Sequence, residues 1–154
     1  MSRAFVKESD QELAALPERV VSPHPNLVTP AGLKQIESQV QSLEEERSAA
    51  RVADDRATLA RVERDLRYWM QRRASARLIE PAATPDAVRF GVRVTVRFAD
   101  GSERAFRLVG EDEADPARGL VSWASPVGTT LMGAVVGDEL EVLGRPAEII
   151  SLES

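Results

Sequence analysis

The chain has 154 residues, 43% of them hydrophobic and 29% charged, with a formal net charge of −5 at pH 7. That composition suits one ordinary folded domain, or a small domain with an appendage. It contains no cysteine and a single histidine, His24, which excludes disulfides, thiolate or imidazole metal clusters and the usual Ser/His and Cys/His catalytic pairs, so a non-enzymatic role is expected. The acidic balance argues against non-specific binding to duplex DNA, because neutralising phosphates calls for an excess of Lys and Arg, and no direct sequence-specific DNA binding is expected either. No apolar run is long enough for a membrane span or a signal peptide, and the expectation is a cytoplasmic protein, a monomer, that works on a protein partner.

Residues 1–28 carry a weak apolar pattern at Leu13, Ala14 and Leu16, followed by Pro17, Pro23 and Pro25. Each proline interrupts a helix and pushes its predecessor to an extended shape, so this segment reads as an irregular arm. His24, between two prolines and with no carboxylate or second imidazole near it in sequence, reads as an exposed or packing side chain.

Residues 29–80 read as a helical hairpin. Thr29 supplies an N-cap oxygen and Pro30 occupies the first helical position, where its missing N–H costs nothing. Leu33, Ile36, Val40, Leu43, Arg47 and Ala50 then recur at spacings of three and four, as do Leu59, Val62, Leu66, Trp69, Arg73 and Ala76. Between the two runs lies Val52-Ala53-Asp54-Asp55-Arg56, short enough only for a tight connection, so the helices fold back antiparallel with Leu43 opposite Leu66, Val40 opposite Trp69 and Ala50 opposite Leu59. Charge agrees with the pairing: over residues 30–55, Lys34, Arg47 and Arg51 face six acids, whereas over residues 56–77 seven arginines face only Glu63 and Asp65. Asp54 and Asp55 at the tip, beside Arg56, are in position to cap the second helix. Trp69 reads as seam packing.

Pro81 and Pro85 mark a linker over residues 81–87, and residues 88–154 read as a sheet domain. Val92 to Phe98 alternates apolar and polar, Asp100-Gly101 supplies a hairpin turn, and Ala105 to Val109 opposes it. Leu120 to Trp123 gives a third strand. Ser125-Pro126 opens a short helix that Gly133 ends, and Glu139 to Leu143 and Glu148 to Leu152 flank a turn at Gly144-Arg145. The expected fold class is α+β: an antiparallel helical hairpin followed by an antiparallel β-sheet domain with one short helix. Trp123 reads as core or domain-interface filler, and Glu111, Asp112, Glu113 and Asp115 as a solvated acidic turn.

The stretch Val109 to Asp115, Gly119 to Ser122, Ser125, Pro126, Leu131, Gly133, Gly137 and Asp138 resembles the GreA/GreB family of bacterial transcription elongation factors. The likeness extends from about Val28 to the end and is strongest in the third segment. It implies an FKBP-like C-terminal domain that docks on the rim of the RNA polymerase secondary channel, and a helical coiled-coil hairpin that enters the channel. On this resemblance Glu111, Asp112, Glu113, Asp115, Ser122, Ser125 and Pro126 are the candidate partner-binding residues. Ala124 stands where cleavage factors often carry Asp or Asn.

The tip departs from the family. Cleavage-stimulating members carry a Gly-Asp-Leu-Ser/Lys-Glu-Asn tip whose carboxylates help hold a second Mg²⁺ in the polymerase; here the tip offers only Asp54, Asp55 and Arg56. Each helix of about 24 residues spans roughly 36 Å, two to three turns short of the family pattern. The leading expectation is therefore an RNA polymerase-binding elongation regulator with no cofactor of its own. One alternative is a cleavage-stimulating factor using Asp54 and Asp55 at the polymerase Mg²⁺ site. Another is regulation of a nucleotide-metabolising enzyme, as in the short-hairpin relatives named nucleoside diphosphate kinase regulators. Prolyl isomerisation is disfavoured by the scarcity of aromatics: Phe90, Phe98, Phe106 and Trp123 are the ones in that domain, and the strand pattern spends several of them in the core.

Overall fold

A computed structural model describes residues 16–154; the arm's apolar positions Leu13 and Ala14 lie outside the described residues. The chain divides into two compact units, one comprising residues through Pro23 with Gln35–Ser75, the other His24–Lys34 with Ala76–Ser154.

In the first unit, helix α1 (Pro30–Val52), which begins in the second unit, is followed by α2 (Arg56–Ser75). The two are joined by residues 53–55, and Val40, Leu43, Val62 and Leu66 form a buried cluster with Trp69 packed against it. This is the seam that the three-four spacing predicts, and Trp69 fills it as expected. Burying an aliphatic side chain contributes about 1.5–3 kcal/mol, against about 0.2–1 kcal/mol for an exposed ion pair. The four seam residues therefore outweigh the cross-hairpin charge pairs Arg61–Glu46 and Arg51–Glu63, whose effect is on register. One seam position differs from expectation: Arg73 is exposed and its neighbour Arg72 is buried, 2% exposed. Two successive steps of three, Leu66 to Trp69 to Arg72, keep the buried stripe in phase where a strict three-four alternation would carry it to position 73.

The second unit holds two sheets. Strands β1 (Leu27–Val28) and β2 (Arg77–Leu78) pair in parallel, the Arg77 N–H donating to the Asn26 carbonyl at 2.8 Å and the Ile79 N–H to the Val28 carbonyl at 3.0 Å. Leu27 and Val28, which the prolines around them assign to an irregular arm, are thus a short strand; two residues carry no periodicity to read.

The larger sheet has five strands in the order β5-β4-β3-β7-β6. β3 (Arg93–Phe98) and β4 (Glu103–Val109) form the expected hairpin, turned at Gly101 with φ 85°. Asp100 Oδ1 accepts from the Ser102 N–H at 2.9 Å, tying the turn. β7 (Arg145–Glu153) lies on the other side of β3, with a bulge between Thr95 and Val96, and β6 (Glu139–Val142) closes that edge. β5 (Leu120–Ser122) runs parallel to β4, so the sheet is mixed and not wholly antiparallel. The cause is the connection: two 3₁₀ turns, Glu111–Glu113 and Pro116–Arg118, carry the chain back before it re-enters the sheet, where a tight hairpin would have reversed it.

Helix α3 (Pro126–Leu131) closes the core. Val94, Val96, Phe98, Phe106, Leu108 and Ile149 form one buried cluster with Val88 and with Leu131 of α3. The β6–β7 turn is centred on Leu143-Gly144, one residue earlier than the pattern predicts, because Val142 pairs with Arg145. Both turn residues have positive φ, 53° and 74°, the conformation that a two-residue hairpin loop demands.

Candidate docking surface and hairpin tip

The candidate partner-binding residues are held by a compact set of turns. Ser125 is the N-cap of α3: its Oγ accepts from the Gly128 N–H at 3.1 Å and donates to the Ser122 carbonyl at 2.6 Å. The Ser122 Oγ in turn accepts from the Ala124 N–H at 3.2 Å, and the Ser125 N–H reaches the Ser122 carbonyl at 3.0 Å. Pro126 takes the first helical position, exposed to solvent. Ser122, Ser125 and Pro126 are therefore brought together, as the Ser-Pro pattern predicts, with both hydroxyls engaged in shaping the turn. Gly128 permits this closure, since a Cβ there would stand 2.1 Å from the Ser122 carbonyl oxygen.

The acidic loop is not a solvated turn: Glu111, Asp112, Glu113 and Asp115 are all half-buried. Gly110 leads into it against the backbone of β1, where a Cβ would lie 2.4 Å from the Leu27 carbonyl oxygen. Glu113 has a definite task. Its Oε2 accepts a 2.5 Å hydrogen bond from the Thr29 hydroxyl, while Thr29 Oγ1 accepts from the Gly32 N–H at 2.9 Å as the N-cap of α1. A carboxylate at a helix N-terminus also meets the positive end of the helix dipole. Asp115 ties the loop through its backbone, exchanging hydrogen bonds with Leu120 at 2.8 and 3.1 Å.

Trp123 follows Ser122 and is half-buried, but it stands outside the core cluster. It meets the exposed His24 edge-on, ring centroids 5.9 Å apart, and its indole nitrogen is buried with no hydrogen-bond partner. Of the two places expected for it, core or interface filler, the core is thus set aside; the alternation of a three-residue strand ends at Ser122. A shallow groove of about 380 Å³ runs beside α3, lined by Pro126, Val127, Thr130, Val142 and Leu143. Leu143 is 50% exposed there, and nothing in the apolar pattern marked it.

The hairpin tip, in the other unit, is built from helix-ending chemistry. The Asp55 N–H bonds the Ala50 carbonyl at 2.9 Å and the Asp54 N–H bonds the Arg51 carbonyl at 3.2 Å, the paired bonds of a Schellman cap with Asp54 in the left-handed position, φ 50°. Asp55 then caps α2. Its Oδ1 accepts from the Thr58 N–H at 3.1 Å and its Oδ2 from the Thr58 hydroxyl at 2.7 Å. These bonds from Thr58, hydroxyl first and backbone second, hold the Asp55 carboxyl below the usual aspartate range. Of the two acids expected to cap, Asp55 does so and Asp54 ends the preceding helix; Arg56 is the first residue of α2. Among the described residues no group of three or more His, Cys, Asp or Glu could hold a metal ion.

Residues 83–153 match the family model described as transcription elongation factor GreA/GreB, C-terminal. This C-terminal domain belongs to the GreA/GreB family. A transcription elongation factor GreA from Paracoccus denitrificans is 39% identical over 82 residues, covering 50% of this chain and 53% of its own. A GreB from Neisseria meningitidis serogroup A is 35% identical over 99 residues, covering 60% of each chain. The chain thus spans between about half and three fifths of the length of these curated relatives. Among solved structures, GreA factor homolog 1 of Thermus thermophilus aligns with 85% of this chain and 100% of its own at 18% identity and a TM-score of 0.43. The Gre-type domain contains the acidic loop and the Ser122 to Pro126 turn, whereas the tip at Asp54 and Asp55 lies outside the residues that the family model matches.

Proposed function

We propose that this protein is an RNA polymerase-binding regulator of transcription elongation that contributes no chemistry of its own. In this reading the Gre-type domain docks at the rim of the polymerase secondary channel through the Ser122 to Pro126 turn and the acidic loop, and the short hairpin is presented into the channel. The observation that carries it is the family match over residues 83–153, joined to a turn whose hydroxyls, cap and glycine clearance are all in place.

The tip favours a regulator over a cleavage stimulator. Holding a metal calls for carboxylate oxygens that are free to coordinate, and both Asp55 oxygens accept hydrogen bonds from Thr58. Asp54 is left as the one acid without a capping task. With 23 and 20 residues, the helices reach only about 30–35 Å.

Binding of the full-length protein to core polymerase, by pull-down or surface plasmon resonance, tests the proposal. Binding at micromolar concentration is expected, weakened by Asp112→Lys and by Pro126→Asp. Glu113 is unsuitable for this purpose because its reversal would disturb the α1 cap. Absence of binding, or binding indifferent to both substitutions, overturns the reading. Addition to a backtracked elongation complex separates the roles: a regulator leaves the transcript uncut, and Mg²⁺-dependent shortening that Asp54→Ala abolishes would establish the cleavage alternative instead.

A further inference from the structure

Within the helical unit, residues 16–22 form no helix or strand, yet two of their side chains are held on α2. Glu18 accepts from Arg67, whose Nε lies 3.1 Å from both carboxylate oxygens. Arg19 has a more specific seat. Its guanidinium carbon is 3.9 Å from the centroid of the Tyr68 ring and 5.6 Å from that of Trp69, and its Nη1 is 3.7 Å from Asp65 Oδ1. The two rings meet edge to face at 86°, centroids 5.1 Å apart.

Two rings at right angles beside a carboxylate make a cage for a flat cation, and a guanidinium fits by stacking where a compact ammonium does not. Arg19 is not needed to neutralise Asp65, which already faces Arg64 at 3.2 Å and Arg61 at 3.7 Å. Of the segment's apolar side chains, Val20 is 89% exposed and Leu16 36%, and Val21 is half-buried. Glu18 and Arg19 tie it to α2 through ion pairs at the surface, and exposed ion pairs contribute little stability.

We propose that Asp65, Tyr68 and Trp69 form a guanidinium-recognition site on the hairpin, filled in cis by Arg19, and that residues 16–22 are a latch which an arginine-bearing segment of a partner protein displaces. The site is independent of the polymerase reading, and its test needs only the isolated full-length protein.

Cleavage of the Glu18–Arg19 bond by a glutamate-specific protease, followed by mass spectrometry of the chain, reports latch opening. Tyr68→Ala should speed cleavage by about threefold to thirtyfold, the range that loss of a partly desolvated cation–π contact supports, and Tyr68→Phe should restore the wild-type rate. Millimolar N-acetyl-arginine amide should accelerate cleavage of the wild type and leave Tyr68→Ala unchanged, while N-acetyl-lysine amide at equal ionic strength should act more weakly. Equal rates for wild type and Tyr68→Ala would remove the latch. No acceleration by the arginine probe, or the same acceleration by the lysine probe, would remove the guanidinium site.

Discussion

The Thr29 hydroxyl and the Glu113 carboxylate, 84 positions apart in sequence, meet in a 2.5 Å hydrogen bond within one folded unit. This contact joins the first turn of α1 to the 3₁₀ turn of the Gre-type domain. A Cβ on Gly32 would lie 2.7 Å from Glu113 Oε2, so a side chain there would push the carboxylate out of this bond. An acid that the family resemblance places on a docking surface is thus spent on the fold.

Replacing Glu113 with Ala should destabilise the protein by about 1–2 kcal/mol, the cost of losing a charge-assisted hydrogen bond together with a favourable helix-dipole contact. Thr29→Val removes the N-cap as well, and should cost about 1–2 kcal/mol. Urea denaturation of both variants and the double mutant should give non-additive losses, with a coupling of about 0.5 kcal/mol or more. Strict additivity would mean that the two side chains do not interact in solution.

Gly128→Ala should be far more damaging. The added Cβ would meet the Ser122 carbonyl oxygen at 2.1 Å, and neither group is the end of a flexible side chain. The Ser125 cap and the β5 end must then part, at a cost of about 3 kcal/mol or more. The expected result, read in a Trp69→Phe background so that Trp123 is the sole tryptophan, is a domain whose tryptophan fluorescence and near-ultraviolet dichroism are lost well below the midpoint of that background. A melting curve like that of the background would show that the turn is more pliable than its hydrogen bonds indicate.

What the sequence made legible follows from how local each signal is. The Thr29-Pro30 start, the Val40, Leu43, Val62 and Leu66 seam and the β3–β4 hairpin rest on periodicity and on residues close in the chain, and each is found in the structure. The parallel placing of β5 depends on where a ten-residue connection leads, which no spacing encodes. The seats of Glu18 and Arg19 on α2 join charges 49 and 46 positions away, and a sequence with many acids and arginines offers many such pairings. At the candidate site the Ser125 cap was readable; the burial of the acidic loop was not, because four acids within five residues look solvent-facing until β1 is set beside Gly110.

Asp54 and Leu143 both hold positive φ, 50° and 53°, where a side chain costs about 1–2 kcal/mol and glycine does not. Asp54→Gly should therefore stabilise the hairpin by about 0.5–1 kcal/mol, and Leu143→Asn the β6–β7 turn by a similar amount. Denaturation midpoints should rise in each variant and add in the double mutant, since the turns belong to different units. A lowered midpoint for Leu143→Asn would show that the leucine gains more from the groove beside α3 than it loses in its backbone.

Acid should act on the tip through Asp55. Its carboxyl is held below the usual range by Thr58, so its folded-state pKa is depressed, and the stabilisation it provides is present above the unfolded-state value and lost as pH falls through the folded one. Asn at this position can still accept the Thr58 N–H bond but does not titrate. Helical dichroism followed between about pH 6 and pH 2 should fall less steeply for Asp55→Asn than for wild type, the difference confined to the acid end. Glu18, whose carboxyl is lowered by its hydrogen bonds from Arg67, titrates in the same unit and supplies the background common to both curves. Superimposable profiles would mean that the Asp55 cap, and with it the commitment of that carboxylate away from metal binding, is not maintained in solution.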